Sequence, residues 1–201
     1  MISFYLVRHG NTFPPGVPAV RIGSASDLPL TEEGERQATA LGEWFTNLGI
    51  AFDRVLAGSL KRTRRTAELI VASLQPSPPV QVADWLTEID HGEDEGKPDD
   101  LIAARVGAAA LRAWDEQALA PAGWQVAAEA RIAAWRHLFA ERPRGDVLLV
   151  TSNGAARFAL LACSMDRPSS LKLRTGAFGQ IIEEPSGALR VAAWDVRPPQ
   201  R

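Results

Sequence analysis

The strongest constraint on the fold of this chain is a regular alternation of short apolar runs with amphipathic segments. The apolar runs predict strands at residues 2–7, 54–57, 80–82, 147–150, 178–183 and 189–194. Apolar residues at helical spacing predict helices at residues 32–48, 59–74, 99–117 and 124–140, and one more from the end of the fourth strand to about 163. This order is typical of an α/β fold, so we expect a three-layer αβα sandwich with a mostly parallel central sheet.

Length and composition fit one globular domain over residues 1–201. The chain has 46% hydrophobic and 23% charged residues, with no repeat or low-complexity tract. Its formal charge of −2 argues against a nucleic-acid-binding protein or a polybasic membrane-binding one. The N-terminus does not resemble a signal peptide, and no run approaches the roughly 18 apolar residues that span a bilayer. We therefore expect a cytoplasmic monomer or homodimer whose partner is a small molecule.

The first candidate site is the triplet Arg8-His9-Gly10, which directly follows the first predicted strand. In open parallel sheets, ligands bind beyond the carboxyl ends of the strands. Arginine is the preferred bidentate partner of a phosphate group, and imidazole can act as a covalent nucleophile. Taken alone, the triplet fits a phosphate site and a turn with a hydrogen-bonded histidine about equally well.

Three further segments narrow the interpretation. They are residues 27–34 (DLPLTEEG) followed by Gln37-Ala38, residues 59–67 (SLKRTRRTA), and residues 86–92 (LTEIDHG) followed by Glu95-Gly96. The Arg8-His9-Gly10 triplet itself belongs to a fourth segment, residues 6–12 (LVRHGNT). Taken in their order along the chain, these segments resemble the motifs of the histidine phosphatase superfamily, also called the phosphoglycerate mutase-like family, and the resemblance covers nearly the whole chain. The resemblance implies the phosphoglycerate mutase-like version of the αβα sandwich.

The resemblance also implies a mechanism with a role for each motif residue. His9 attacks phosphorus in line and becomes a phosphohistidine. Arg8 and Arg62 neutralise charge on the non-bridging oxygens. Glu88, in its protonated form, donates to the leaving oxygen, and the same carboxylate then activates the water that cleaves the phosphohistidine. This mechanism implies no metal ion and no cofactor.

Glu88 lies in an acidic stretch, which suggests how it stays protonated. Carboxyl groups surround it in the sequence, at Asp84, Asp90, Glu93, Asp94 and Glu95. Nearby like charges would raise its pKa and favour the acid form. The alternative for the stretch as a whole is a solvated loop.

The chain departs from the family at position 153. The fourth motif of the family reads approximately Ser-His-Gly-Gly after a strand, whereas this chain has Ser152-Asn153-Gly154 after its fourth strand. Asparagine can supply an N–H donor but never a positive charge. We expect Asn153 and Gly154 to bind phosphate, and Asn153 also fits the N-cap of the helix that begins there.

Other residues have weaker predictions. Asn11, Arg21 and His91 are candidate substrate contacts, with His91 at the mouth of the pocket or, alternatively, in an ordinary loop. His137 is expected on a helix surface, and Cys163 is expected as a packed core thiol.

Four functions remain open at this point. The first is a phosphomonoester hydrolase acting on a small phosphorylated metabolite, and the second is a cofactor-dependent mutase that uses the same pocket. The mutases of this family are longer than 201 residues, so the length favours the hydrolase. The third is a catalytically impaired phosphate binder, because Asn153 replaces the family's second histidine. The fourth is dephosphorylation of a protein phosphohistidine.

Overall fold

The computed structural model describes residues 2–163 and 168–199, and one six-stranded mixed sheet runs through them. The strands are β1 (Ser3–Arg8), β2 (Phe52–Ala57), β3 (Val80–Val82), β4 (Asp146–Thr151), β5 (Phe178–Glu183) and β6 (Leu189–Val196). Their order across the sheet is β3-β2-β4-β1-β5-β6. The first four run parallel, β5 is antiparallel to β1, and β6 is antiparallel to β5. The predicted α/β fold with a mostly parallel sheet is confirmed.

Helices cover both faces of the sheet. They are α1 (Glu32–Asn47), α2 (Lys61–Ala72), α3 (Asp99–Val106), α4 (Ala108–Gln117), α5 (Ala128–Ala140) and α6 (Asn153–Ala162). Helices α1 and α2 pack on one face, and α3 to α6 contribute to the core on the other. Within the described part of the chain, none of these helices combines the length and apolarity that crossing a membrane requires.

The period of two along each strand builds these two cores. In β1, Phe4 and Leu6 belong to the core under α3–α6, while Tyr5 and Val7 belong to the core under α1 and α2. The Tyr5 ring packs edge-on against Phe45 of α1, with 5.4 Å between ring centroids. Both faces of the sheet are therefore buried, as parallel strands require.

The helix boundaries differ from the predictions where the backbone turns left-handed. The helix predicted at 99–117 is two helices, because Gly107 between them has φ of 85°. The helix predicted from 124 begins at Ala128, after Ala127 with φ of 46°. At the start of α1, Thr31 is the N-cap, and its Oγ1 accepts a hydrogen bond from the Gly34 N–H at 3.1 Å.

The sheet order brings the candidate residues to one edge. Strands β1 and β4 are neighbours, with Arg8 opposite Thr151 in the parallel register. The carboxyl end of β1 leads into His9, and that of β4 leads into α6. Strand β2 lies on the other side of β4 and leads into α2, which carries Arg62. This is the edge at which open α/β sheets bind ligands.

Candidate active site

His9 lies at the centre of the site and is 3% exposed. Its backbone N–H donates to the Thr151 carbonyl at 3.0 Å, which fixes the residue against β4. The ring Nδ1 lies 2.8 Å from the carbonyl oxygen of Gly10. Since a carbonyl oxygen only accepts, Nδ1 carries the proton and Nε2 keeps its lone pair. Burial, with the charges of Arg8 and Arg62, holds the pKa of His9 well below its ordinary value. His9 is therefore a neutral imidazole with a free nucleophilic nitrogen.

Two glycines let the loop after β1 lie directly on the start of α1. A Cβ at Gly10 would stand 2.2 Å from the carbonyl oxygen of Gly34, and a Cβ at Gly34 would stand 2.2 Å from that of Asn11. The Gly10 N–H donates to the Thr66 hydroxyl at 3.1 Å, which ties the loop to α2. Because the backbones touch, His9 is held by main-chain contacts on both sides.

Arg8 and Arg62 each have a buried N–H group that makes no hydrogen bond to the described part of the chain. Arg62 is fully buried and donates through its two Nη atoms to the carbonyls of Ser26 and Gly23. Arg8 donates from Nη1 to the Leu173 carbonyl at 2.7 Å. The Nε atoms of both residues are buried and have no hydrogen-bond partner within residues 2–163 and 168–199. Buried polar groups are nearly always paired, so two such donors beside His9 indicate a site for an anion.

Burial also affects the acidity of both guanidinium groups. It lowers the pKa of Arg8 to about 10, with the positive charges of Arg62 and Arg197 acting in the same direction and Glu88 acting against them. Burial likewise lowers the pKa of Arg62. A group with a pKa of about 10 is still protonated at pH 7, so Arg8 brings positive charge to the site.

Glu88 lies opposite these arginines, 7% exposed, with both oxygens held by backbone N–H groups. Its Oε1 accepts from Ile89 at 2.9 Å and its Oε2 accepts from Gly154 at 3.0 Å. A Cβ at Gly154 would stand 2.3 Å from Oε1, so only glycine allows this approach. The segment before Glu88 is tied to β4 and α5, because Thr151 Oγ1 donates to the Leu86 carbonyl and Arg131 Nη1 donates to that of Thr87.

The prediction that acidic neighbours raise the pKa of Glu88 is wrong. Burial raises its pKa, but the positive charge that His91 carries when it is protonated, the two backbone N–H groups and Arg62 together hold the pKa below its ordinary value. The acidic neighbours in sequence face other partners. Asp94 is bound by Arg105 and the Trp124 indole, and Glu95 accepts from the Gly23 N–H. Like charges along the sequence raise a pKa only where their carboxylates point at one another.

Asn153 lies at the same edge, but not as the N-cap. Ser152 holds the cap position, and Asn153 is the first residue of α6. Its Oδ1 accepts from the Leu173 N–H at 2.9 Å, and within the described ranges no protein group accepts from its Nδ2. The amide nitrogen is therefore the donor that remains for a ligand.

The three candidate substrate contacts have protein partners in the structure. Asn11 closes a local turn, with Nδ2 donating to the Phe13 carbonyl at 2.7 Å. Arg21 pairs with Asp99 through Nε at 2.6 Å and Nη2 at 3.0 Å, and lies over the Trp124 ring at 5.3 Å. His91 is 4% exposed and lies beside Glu95. Their contact with a substrate stays a prediction.

Arg157 is a residue of this region that the sequence analysis missed. It is fully buried, with its guanidinium 3.9 Å from the centre of the Trp114 ring, and Nη1 donates to the Trp114 carbonyl. Burial lowers its pKa to about 10, and Glu88 is the strongest influence in the other direction. Its position four residues after Asn153, in an otherwise apolar helix, was the available signal. The two residues outside the site had the predicted surroundings, since the His137 side chain is 81% exposed and Cys163 is buried.

Comparisons with known proteins agree on the fold. The family model described as histidine phosphatase superfamily (branch 1) matches residues 4–184. A relative from Erwinia tasmaniensis, named "Probable phosphoglycerate mutase GpmB", is 41% identical over 104 residues, which are 52% of this chain and 46% of the relative. The chain thus spans less than half of the length of that relative.

Two solved structures match almost end to end. A mycobacterial glucosyl-3-phosphoglycerate phosphatase has a TM-score of 0.78 at 21% identity, covering 97% of this chain and 99% of that one. The alpha-ribazole phosphatase from Shigella flexneri has a TM-score of 0.75 at 21% identity, covering 99% and 98%. At this identity the likeness establishes a shared fold.

Proposed function

Because this chain belongs to the histidine phosphatase superfamily, we propose that it hydrolyses phosphomonoesters through a phosphohistidine at His9. One observation carries the proposal. Two buried arginine Nε–H groups, on Arg8 and Arg62, have no hydrogen-bond acceptor among the residues that the structure describes. They accompany a neutral imidazole, that of His9, whose Nδ1 carries the proton and whose Nε2 keeps the lone pair. A phosphoryl group supplies the acceptor oxygens these donors lack and the electrophilic phosphorus that the imidazole attacks.

In the first step, the lone pair of His9 Nε2 forms a bond to phosphorus while the bond to the ester oxygen breaks. Arg8, Arg62 and the Asn153 amide stabilise the equatorial oxygens, where charge accumulates. The electron pair of the broken bond goes to the leaving oxygen, which takes a proton from Glu88. A bound phosphomonoester dianion adds negative charge close to Glu88, and this raises the pKa of the carboxyl, which takes up one proton from solvent as the substrate binds. That proton is the one Glu88 donates to the leaving oxygen.

In the second step, water attacks the phosphorus of the phosphohistidine. Glu88, now ionised, takes the proton of that water, and the electron pair of the N–P bond returns to Nε2. Inorganic phosphate leaves, and both His9 and Glu88 recover their starting protonation states. The two steps therefore balance in protons and electrons, and they require no acid, base or cofactor besides His9, Glu88 and water.

We propose a small phosphorylated metabolite as the substrate. Support comes from the two solved structures, whose names give glucosyl-3-phosphoglycerate and alpha-ribazole as the compounds of their phosphatases. The name of the Erwinia tasmaniensis relative supports a second candidate, a mutase. A mutase requires a phosphohistidine that survives long enough to phosphorylate a second substrate, whereas a hydrolase passes it to water.

The test is hydrolysis of an aryl phosphate by the wild type, His9→Ala and, as a control, His137→Ala on the surface of α5. We expect phosphate release by the wild type and His137→Ala, and none by His9→Ala. Rapid quenching of a labelled substrate in alkaline denaturant, in which the N–P bond of a phosphohistidine survives, then measures the lifetime of the phosphoenzyme. Activity that survives in His9→Ala contradicts the mechanism, and phosphate binding without any turnover supports the binder.

A further inference from the structure

His91 and Glu95 form a buried pair next to the proposed proton donor. The Nδ1 of His91 lies 3.4 Å from the Oε2 of Glu95, and the side chains are 5% and 17% exposed. Both atoms are buried, and neither makes a hydrogen bond within the described part of the chain. The ring of Trp124 closes the other side, edge-on at 4.5 Å between centroids. Since buried polar atoms are nearly always paired, the 3.4 Å contact makes each of these atoms the nearest available partner of the other.

The second oxygen of Glu95 leads toward the phosphate-binding arginine. Its Oε1 accepts from the Gly23 N–H at 2.7 Å, and the Gly23 carbonyl accepts from Arg62 Nη2 at 3.0 Å. Little space remains at this junction, because a Cβ at Gly23 would stand 2.6 Å from Glu95 Oε2 and 2.8 Å from His91 Nδ1. A continuous path of contacts therefore joins His91, Glu95, Gly23 and Arg62.

A second histidine–glutamate pair in the same chain gives a direct comparison. His137 and Glu141 are also four residues apart, with a nitrogen–oxygen distance of 3.4 Å, but their side chains are 81% and 34% exposed. Exposed pairs of this kind contribute about 0–1 kcal/mol to stability. The two pairs thus differ in burial and in what the glutamate binds next, rather than in spacing.

The short contact favours one tautomer of His91. A carboxylate only accepts, so a pairing of Nδ1 with Glu95 Oε2 requires the proton on Nδ1 and leaves the lone pair on Nε2. The charged groups that face this imidazole are Glu88, Glu95 and Arg21. Burial lowers the pKa of His91, with Arg21 acting in the same direction, and the two glutamates oppose this only in part. At pH 7 the ring is therefore neutral and protonated on Nδ1.

We infer that His91 and Glu95 are positioning residues that hold the loop at Gly23, and through it the guanidinium of Arg62, in the geometry that binds phosphate. The inference rests on the proposed function only in giving Arg62 a phosphate to bind. Among the residues that the structure describes, neither side chain of the pair hydrogen-bonds to His9 or to the carboxylate of Glu88. Its effect is to fix the direction in which Arg62 Nε–H points.

The first test is nitrogen NMR of the histidine side chains in the ligand-free wild type. With three histidines in the chain, the resonances are assigned by single substitutions. We expect the Nδ1–H tautomer at His91 and the usual Nε2–H tautomer at exposed His137. In Glu95→Gln, the amide oxygen should still accept from the Gly23 N–H. The amide nitrogen should donate to His91 Nδ1, so that His91 changes to the Nε2–H tautomer. An Nε2–H tautomer at His91 in the wild type overturns the inference.

The second test measures the position of Arg62 and the binding of inorganic phosphate. His91→Phe keeps the size of the ring but removes the donor, so we expect the Arg62 Nε–H resonance to shift and phosphate to bind up to about 100-fold more weakly. Glu95→Gln should bind phosphate nearly as well as the wild type. The matched control variants, His137→Phe and Glu141→Gln, should change neither readout.

These readouts separate this inference from the proposed function. An unshifted Arg62 resonance and unchanged phosphate affinity in His91→Phe overturn the positioning role, even if the wild type is an active phosphatase. A wild type that binds phosphate without hydrolysing any ester contradicts the proposed function and leaves the positioning role standing. If His91→Phe does not fold, the tautomer of His91 in the wild type and in Glu95→Gln decides whether the positioning role stands.

Discussion

The side-chain oxygen of Asn153 accepts a hydrogen bond from the backbone N–H of Leu173 at 2.9 Å. The carbonyl oxygen of Leu173 accepts a hydrogen bond from Arg8 Nη1 at 2.7 Å, so Leu173 holds both Asn153 and Arg8. Because Oδ1 must be the acceptor, the orientation of the amide is fixed and Nδ2 is left as the outward donor. Asparagine at this position therefore keeps one N–H donor for phosphate while lacking the charge of an imidazolium.

Substitutions at Asn153 test that donor. Asn153→Asp keeps the acceptor for Leu173 but replaces the donor with a negative oxygen, and we expect kcat/KM for an aryl phosphate to fall at least about 100-fold. Asn153→His should be at least as active as the wild type, because the neutral ring can accept from the Leu173 N–H through Nδ1 while its Nε2–H donates to phosphate. Steady-state kinetics of the three proteins give the comparison.

The outcome is informative in both directions. Equal activity of the wild type and Asn153→Asp means that the side chain does not contact phosphate. Activity in Asn153→His together with none in the wild type shows that loss of the second imidazole converted an enzyme into a binder.

Gly154→Ala tests the contact that holds Glu88. The new methyl group would stand 2.3 Å from Oε1, so the carboxylate must move and lose its bond to the Gly154 N–H. We expect kcat to fall by about 10²–10³, the usual effect of losing one transition-state interaction. A crystal structure or a carboxyl-carbon NMR titration of Glu88 reports the displacement. Wild-type kcat in a folded Gly154→Ala contradicts the assignment of Glu88 as proton donor.

Most of the fold could be predicted from local patterns. Apolar runs in the sequence marked all six strands to within two residues at each end, because buried parallel strands need continuous apolar stretches. The helix boundaries were predicted less accurately where the backbone adopts a left-handed conformation that no proline or glycine marks in the sequence. Ala127 has φ of 46°, and nothing in its residue type announces this.

The site was predicted from motifs, and the errors concern what the motifs face in three dimensions. The pKa of Glu88 is lowered because backbone N–H groups and His91 surround it, whereas the sequence offered only its acidic neighbours. Arg157 escaped notice because its partners, Trp114 and the Asn153 carbonyl, come from a helix 40 residues away and from the backbone. Arginines are also so common in this chain that one more attracts no attention.

Replacing Arg62 by lysine tests whether the shape of the guanidinium matters as well as its charge. Arg62 donates through its two Nη atoms to the loop carbonyls of Ser26 and Gly23, and its Nε–H remains for phosphate. A single lysine ammonium group cannot bind the loop and the phosphate in this geometry at the same time. We expect Arg62→Lys to lose about 100-fold in kcat/KM. Arg65→Lys is the matched control on the same helix, since Arg65 is exposed and pairs with Glu35. If the two lysine variants have equal activity, charge alone accounts for the role of Arg62.

The buried histidines make the stability of the fold depend on pH. Burial holds the pKa of His9 well below the ordinary value of 6.5 and also lowers that of His91. Below pH 6.5 the unfolded chain binds more protons at these positions than the folded chain does, so the free energy of unfolding decreases as the pH falls. Each histidine contributes at most about 1.4 kcal/mol per pH unit. Denaturant unfolding between pH 7 and pH 5 measures the slope.

Removing one histidine at a time assigns the slope to its source. His91→Phe should flatten the dependence by the share of one buried imidazole, whereas His137→Phe should leave it unchanged because that ring is exposed. The window lies above the ordinary glutamate pKa of 4.5, so Glu88 does not contribute to it. A free energy of unfolding that stays constant from pH 7 to pH 5 would mean that both imidazoles take up protons in the folded protein. His9 would then be cationic, without the lone pair that nucleophilic attack on phosphorus requires.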